Sequence, residues 1–434
     1  MSANSFWQTT KLGSHATIKA RIGWKGLQAS EYKDAGYIFL ATPNIKGYEI
    51  DFNNVNYISE RRYNESPELK LQVGDVLLVK DGSTLGISNL IRKLPGPATV
   101  NSSIAVLRCS NELVPSFLHQ LTKGNSFQKL IVDKKSGLGV PHLFQADLKE
   151  FEISLPTIGE QHRIAEILDA LDEAIQKTDQ FIAKLKQLKR GLLHDLLSRG
   201  IDGNGQLRDP VAHPEQFKDS VLGRIPTAWE AVRIKDVGKV FGGKRLPAGH
   251  AYSEEPTGYT YLRVLDFFEK AIDPKTLMSL PPKTFAALER YEIHDGNLFI
   301  SIAGSIGHVG VFTATENTRT VLTENAARIE LAEEMHPPFV AYQMNGHEVQ
   351  RQIDIEKGTG GGVPKLALFR IEDLRITQPP ETEQKAISQR MLAHEKAIAL
   401  EEENLQKLMA IKKGLMHDLL TGKVRVNTKE GNDK

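Results

Sequence analysis

Two stretches of the chain carry hydrophobic residues at alternating steps of three and four. The first places Ile164, Leu168, Leu171, Ile175, Ile182, Leu185, Leu192 and Leu196 on one stripe, with Thr178 and Lys189 in its polar gaps. This is a heptad seam, the mark of a long helix with a helical partner. The second stretch repeats it with Ile387, Met391, Ile398, Leu405, Leu408, Leu415 and Leu419, and with His394 and Glu401 as polar replacements. Thr157 and Glu160 stand three apart, as in a capping box, so the first helix should begin there. Helices over about 160–198 and 383–421 would each run roughly 60 Å at 1.5 Å per residue, longer than a small domain is wide. Much of each must therefore pair outside its own globule, and the other long helix is the only partner of equal length.

The helices belong to a larger repeat. Leu188 to Ser198 reads LKRGLLHDLLS and Ile411 to Thr421 reads IKKGLMHDLLT. Glu160-Gln161 returns as Glu383-Gln384, Pro156 as Pro379 and Val140-Pro141 as Val363-Pro364, each 223 positions on (384 − 161 = 223). So long a period marks a duplicated module, since solenoid units are far shorter. Residues 1–155 mix β-type runs such as Val76 to Val79 and Ile104 to Leu107 with Gly, Pro and Asn punctuation, the texture of a mixed α/β globule. The predicted division is a first globule over 1–155 and a spacer helix over 156–200. A Gly-, Asp- and Pro-rich linker over 201–222 leads to a second globule over 223–378, a second spacer helix over 379–421 and a flexible tail over 422–434. The first helix delivers the chain to the far end of the spacer, and the second must run back. The expected fold is α/β (mixed α+β), with two similar globules separated by a pair of long antiparallel coiled-coil helices in pseudo-twofold symmetry.

Composition narrows the classes. The 434 residues are 40% hydrophobic and 25% charged, ordinary for a soluble protein. The absence of any apolar run of about 18 residues, and of a basic, apolar leader, gives a cytoplasmic expectation. Cys109 is the single cysteine, which excludes an internal disulfide or a cysteine-built zinc site. The net charge of +1 lacks the overall basic excess of many nucleic-acid binders. The first 155 residues hold 18 Lys and Arg against 14 Asp and Glu, which permits DNA binding without arguing strongly for it.

No catalytic constellation emerges, and no metal site is expected. Gly358 to Lys365 is Gly-rich but lacks the Gly-Lys-Ser/Thr ending of a phosphate cradle. With its first-copy counterpart, Ser136 to Pro141, it reads either as a turn shaping the domain edge or as an approach to a phosphate backbone. His336-Pro337-Pro338-Phe339 resembles the Asn/Asp-Pro-Pro-Phe/Tyr segment of amino-methyltransferases, but histidine breaks the match and no cofactor glycine motif precedes it. Val114-Pro115-Ser116-Phe117 at the corresponding place suggests a repeated structural turn instead. His194 and His417 hold matching helical positions, each before an aspartate, and read as solvated or partner-facing.

Together the residues resemble one family. Leu155-Pro156…Glu160-Gln161 precedes a heptad helix with Gly191-Leu192-Leu193…Leu196-Leu197. Gly223-Arg224-Ile225-Pro226…Trp229 and Pro379-Pro380…Glu383-Gln384 follow, and Leu419-Leu420-Thr421-Gly422-Lys423-Val424-Arg425-Val426 closes the series. The order and duplication resemble the specificity subunit of a type I restriction-modification system, over essentially the whole chain. That resemblance implies a non-catalytic, DNA-binding subunit whose two target recognition domains read the halves of a bipartite asymmetric site. The helices would set the gap and dock two modification (methyltransferase) subunits. Cofactors would lie elsewhere: S-adenosylmethionine on the modification subunits, ATP and Mg on the restriction (translocase/nuclease) subunits.

Candidate DNA-contacting residues are polar and basic positions in loops that the repeat places similarly. In the first globule they are Lys19, Arg21, Arg61, Arg62, Lys80, Ser83, Asn101, Lys134 and Lys135; in the second, Lys244, Arg245, Arg263, Ser301, Ser305, Asn325, Lys357 and Thr359. Arg and Asn suit base edges, while Lys, Ser and Thr suit phosphates. Two other classes stay open at this point: a coiled-coil assembly scaffold that never touches DNA, and a self-contained DNA methyltransferase with an unrecognised site.

Overall fold

The computed structural model describes residues 7–20, 27–135, 141–267, 272, 277–357 and 364–427. The chain divides into two compact units. One holds residues 1–182 and 400–434, the other 183–399, so each combines a globule with a piece of both long helices.

In the first unit a four-stranded antiparallel sheet is ordered Ala16–Lys19, Ile104–Cys109, Val76–Val79, Ser88–Leu90. Alternation along its strands feeds two cores. Val76, Leu78, Ala105 and Leu107 face one cluster with Phe117 and Phe127 of the helices Pro115–Lys123 and Asn125–Lys135. Leu77, Val79, Ile104 and Val106 face the other, with Ile38, Leu40, Ala98 and Val100. Burial on both faces is why these strands read as unbroken hydrophobic runs rather than as alternating ones. The second cluster rests on a three-stranded sheet, in which Tyr37–Leu40 runs parallel to Ala98–Val100 and antiparallel to Asn56–Ile58.

The second unit repeats this plan. Its four-stranded sheet is ordered Gly238–Gly242, Ala326–Leu331, Leu298–Ser301, Val309–Val311. Its companion sheet again pairs two strands in parallel, Tyr259–Leu262 with Arg319–Leu322. The matching strands are offset by 222 (298 − 76 = 222), one less than the helices, except the fourth, Val309–Val311, which follows a loop one residue shorter (309 − 88 = 221). The step falls between the helix Asn125–Lys135, matched by His347–Glu356, and the segment after it.

Each globule closes on an antiparallel strand pair that leads into its long helix: Gln8–Lys11 with Glu152–Leu155, and Glu230–Arg233 with Arg375–Gln378. The helices span Ile158–Ser198 and Glu381–Leu420, 41 and 40 residues. Thr157 and Glu160 form the expected capping box, with the Thr157 amide donating to Glu160 at 3.2 Å and the Glu160 amide donating to Thr157 at 3.4 Å.

The stretches read as a linker and a flexible tail are held. Residues 201–222 carry the hairpin strand Phe217–Ser220, paired with Gly223–Pro226, and Ile201 is buried with Trp229. The tail is anchored by Arg425 on Glu160 at 2.6 Å and by Val426 on the core, while 428–434 lie outside the described residues.

Candidate nucleic-acid interface and the helix clasps

Four loops of the first globule meet at one edge. The Lys80 amide donates to Ser103, Leu143 to Lys80, Gly82 to Pro141 and Asn101 to Leu40. Side chains add Gln145 to the Ala20 carbonyl and a close Asp81–His142 contact. The second globule builds the same edge: Ile302 donates to Asn325, Leu366 to Ile302, Gly243 to Ala326 and Lys244 to Leu322. The isolated bridges Asp81–His142 and Ala303–Lys365 are counterparts. Sequence reasoning placed candidates in these loops, but the convergence needs the sheet, which brings strand ends far apart in the chain to one side.

The candidates then separate by exposure and partner. Lys19, Ser83, Lys135, Lys244 and Ser305 are exposed. Arg61 is exposed with only a 3.9 Å approach to Glu65, and Arg245 is exposed beside Glu324 at 2.8 Å. Others serve the fold. Arg62 bridges Glu31 and Glu65, Arg263 grips Asp266, Lys134 pairs with Asp147 and Lys357 with Asp354. Lys80 is buried against Asp81, and fully buried Ser301 accepts the His308 amide at 3.0 Å. Asn101 is half-buried and accepts the Ser103 amide at 3.1 Å, and Asn325 is half-buried. Arg21, Thr359 and most of the Gly-rich turns around 136–140 and 358–363 lie outside the described residues.

All of the predicted seam residues are buried or half-buried. Within each unit the helix pieces pack on each other and run antiparallel. In the first, Ile164 and Leu168 share a core with Leu419 and Leu420; in the second, Leu196 shares one with Ile387 and Met391. One ion pair fixes the register in each: Lys412 on Asp172, and Lys189 on Glu395 at 2.5 Å. The second is the first shifted by the repeat (395 − 172 = 223; 412 − 189 = 223). Seam Lys189, a polar gap in the sequence pattern, is thus a register lock. Burial works against ionising Asp172, but Lys123, Lys412 and Gln120 outweigh it and hold the carboxyl down at about 2. Leu168→Ala should cost about 2–5 kcal/mol, and Leu185→Ala less because that side chain is half-exposed; urea midpoints of the two variants check the order.

The Glu-Gln landmark explains itself here. Gln161 accepts the Val114 amide at 2.8 Å and donates to Glu112 and Pro156, while Gln384 accepts the His336 amide at 2.8 Å and donates to Glu334 and Pro379. His336-Pro337-Pro338-Phe339 is therefore a helix start latched to the long helix, and Val114 to Phe117 is its counterpart. The preceding glutamates form clasps. Glu383 accepts two bonds from Arg208, at 2.6 and 3.1 Å, one from the Trp229 indole at 3.1 Å and one from the Ile201 amide at 2.8 Å. Glu160 accepts from Arg425, whose guanidinium lies 5.7 Å from the Trp7 ring. Beside them the left-handed Gly200 approaches Trp229 so closely that an added Cβ would collide, and the left-handed Gly422 packs on Trp7 with room for a Cβ only if the ring shifts. Arg208, Ile201 and Trp7 were missed in the sequence; Glu160 was read only as half of a capping box, and Glu383, Trp229 and Arg425 lay in the repeated motifs without a role.

His194 and His417 are exposed, and their carbonyls accept Ser198 and Thr421 hydroxyls. Among the described residues, no cluster of His, Cys, Asp and Glu could hold a metal, and no helix is long and apolar enough to cross a membrane.

Two globules of one plan, each latched to a long helix, define a duplicated specificity architecture. The chain belongs to the type I restriction modification DNA specificity domain family, matched over residues 4–187 and 226–410. It is 24% identical over 429 residues to the type I restriction enzyme MjaVIII specificity subunit of Methanocaldococcus jannaschii, covering 97% of this chain and 93% of that one. It is 19% identical over 392 residues to the EcoKI specificity subunit of Escherichia coli K12, covering 89% and 81%. The crystal structure of the S subunit from M. genitalium has the same fold, with a TM-score of 0.57 at 17% identity over 97% of both chains.

Proposed function

We propose that this chain reads double-stranded DNA, each globule recognising one half of a bipartite, asymmetric site with its loop edge while the helix pair sets the gap. The observation that carries it is the duplicated edge: one scaffold, built twice, presents different side chains, as two different half-sites require. Exposed Lys19, Arg61, Ser83 and Lys135 on one globule, with Lys244, Arg245 and Ser305 on the other, are the proposed contacts. The chain itself is non-catalytic and cytoplasmic. Two modification subunits dock on the helices and supply S-adenosylmethionine, and restriction subunits bring ATP and Mg.

Recognition is tested by co-expressing the chain with a modification subunit and mapping methylated positions genome-wide; a bipartite motif is expected. Methyl transfer by the chain alone would overturn the non-catalytic assignment. The ruler is tested by inserting one heptad after Ile175 and one after Ile398. One heptad in each keeps the phase of both seams and lengthens each helix by about 10 Å. At about 3.4 Å per base pair the gap should widen by at most roughly three base pairs, with both half-site sequences unchanged. An unchanged gap in an active variant would overturn the ruler.

A further inference from the structure

We infer that the loops Asp81 to Gly86 and Ala303 to Gly307 grip the sugar–phosphate backbone and position each globule on the duplex, leaving base selection to the side chains around them. The inference rests on the DNA-reading role proposed above. Two different half-sites share one thing, the phosphate backbone, and differ in their bases. What the two globules keep in common at the edge should therefore face phosphate, and what they vary should face bases.

The loops are what they keep. Gly82 and Gly304 have φ of 82° and 74°, and Gly86 and Gly307 have φ of 92° and 94°, left-handed values that glycine adopts without strain. The closing bond is the same in both, the Gly86 amide donating to Val79 and the Gly307 amide to Ser301 at 2.9 Å, although the first loop is one residue longer and turns through Leu85 on Gly82 where the second turns through Ile306 on Gly304. Between the glycines stand Ser83 and Ser305, both exposed. Among the described residues, neither their amides nor their hydroxyls have a hydrogen-bond partner. An exposed serine amide and hydroxyl beside a left-handed glycine are donors of the kind that serve phosphate oxygens. The neighbours differ: Lys80 stands against Ile302, Asp81 against Ala303, and His142 against Lys365. A loop whose only role was to join two strands would not need an exposed serine after a left-handed glycine in both copies.

The test uses the chain in complex with its modification subunit, with fluorescence anisotropy on a duplex bearing the mapped motif and on a scrambled duplex. Ser83→Ala and Ser305→Ala should each weaken binding roughly tenfold, the loss expected for one hydrogen bond to a charged group. The loss should be similar on both duplexes, and the methylated motif should not change. Ser83→Asp and Ser305→Asp should weaken binding further, with a deficit that shrinks as salt is raised and phosphate repulsion is screened. Wild-type affinity in the alanine and aspartate variants alike, or a changed motif in any of them, overturns the inference. Failure of the reading beneath it looks different: the wild-type complex itself would bind neither duplex and yield no bipartite motif.

Discussion

Glu383→Ala is expected to destabilise the second unit by about 3–5 kcal/mol, the cost of leaving a buried charge without its partner. The Glu383 side chain is 8% exposed and Arg208 13%, so removing the carboxylate strands a guanidinium that water barely reaches. The Trp229 indole and the Ile201 amide lose their acceptor at the same time. The matching change in the first unit, Glu160→Ala, should cost less. Its partner Arg425 is 44% exposed and can rehydrate, so the loss reduces mainly to the capping box, worth about 1 kcal/mol. Urea unfolding of both variants, with hydrogen exchange along Gly200 to Arg208, measures the difference. Equal costs in the two units would refute the clasp argument. Adding Arg208→Met to Glu383→Ala should recover much of the loss, because an apolar pair needs no counter-charge.

Acid should weaken the first unit before the second. His119 is 2% exposed, and neither ring nitrogen has a partner of full hydrogen-bond geometry among the described residues, the Ser88 backbone being the polar group that comes near. Burial, reinforced by the positive charges of Lys123 and Arg92, pushes the imidazole down to about 3. Below the ordinary value of 6.5 the unfolded chain takes up a proton that the folded chain refuses until about pH 3. The stabilisation is therefore complete above pH 6.5 and drains away as pH falls towards 3, amounting to roughly 5 kcal/mol. Asp172 adds a second loss at lower pH: depressed to about 2, it stabilises fully above its ordinary 3.8 and ceases to do so as pH falls through 2. Counting from the matched Phe117 and Phe339, the second unit has Ala341 where the first has His119, so it gains no proton there. Hydrogen exchange at pH 7 and pH 4 should show Pro115–Lys123 losing more protection than Pro337–Met344, where burial and Lys385 push down the less buried His336 at the helix start. His119→Leu should flatten the pH dependence between 6.5 and 3; a variant as acid-labile as the wild type would show that another group is responsible.

The long helices, their seam and the duplication were legible in the sequence because hydrophobic periodicity follows from helix geometry, which is local. Leu168, Ile175 and Ile398 are buried as the heptads require, and the 223-residue offset carries even the ion pair of Asp172 with Lys412 onto that of Glu395 with Lys189. What the polar residues do was not legible. Arg62, Lys80 and Arg263 resemble Arg61 and Lys19 in sequence, yet the backbone turns Asp81 onto Lys80 and Asp266 onto Arg263 and the fold brings Glu31 to Arg62, so that their charge is spent in ion pairs. The clasps needed the tertiary structure outright: Glu160 meets Arg425 across 265 residues and Glu383 meets Arg208 across 175. Periodicity fixes which face of a helix avoids water. It cannot choose a charged side chain's partner, because that depends on which distant segment the completed core brings within about 3 Å, and only the packed fold decides it.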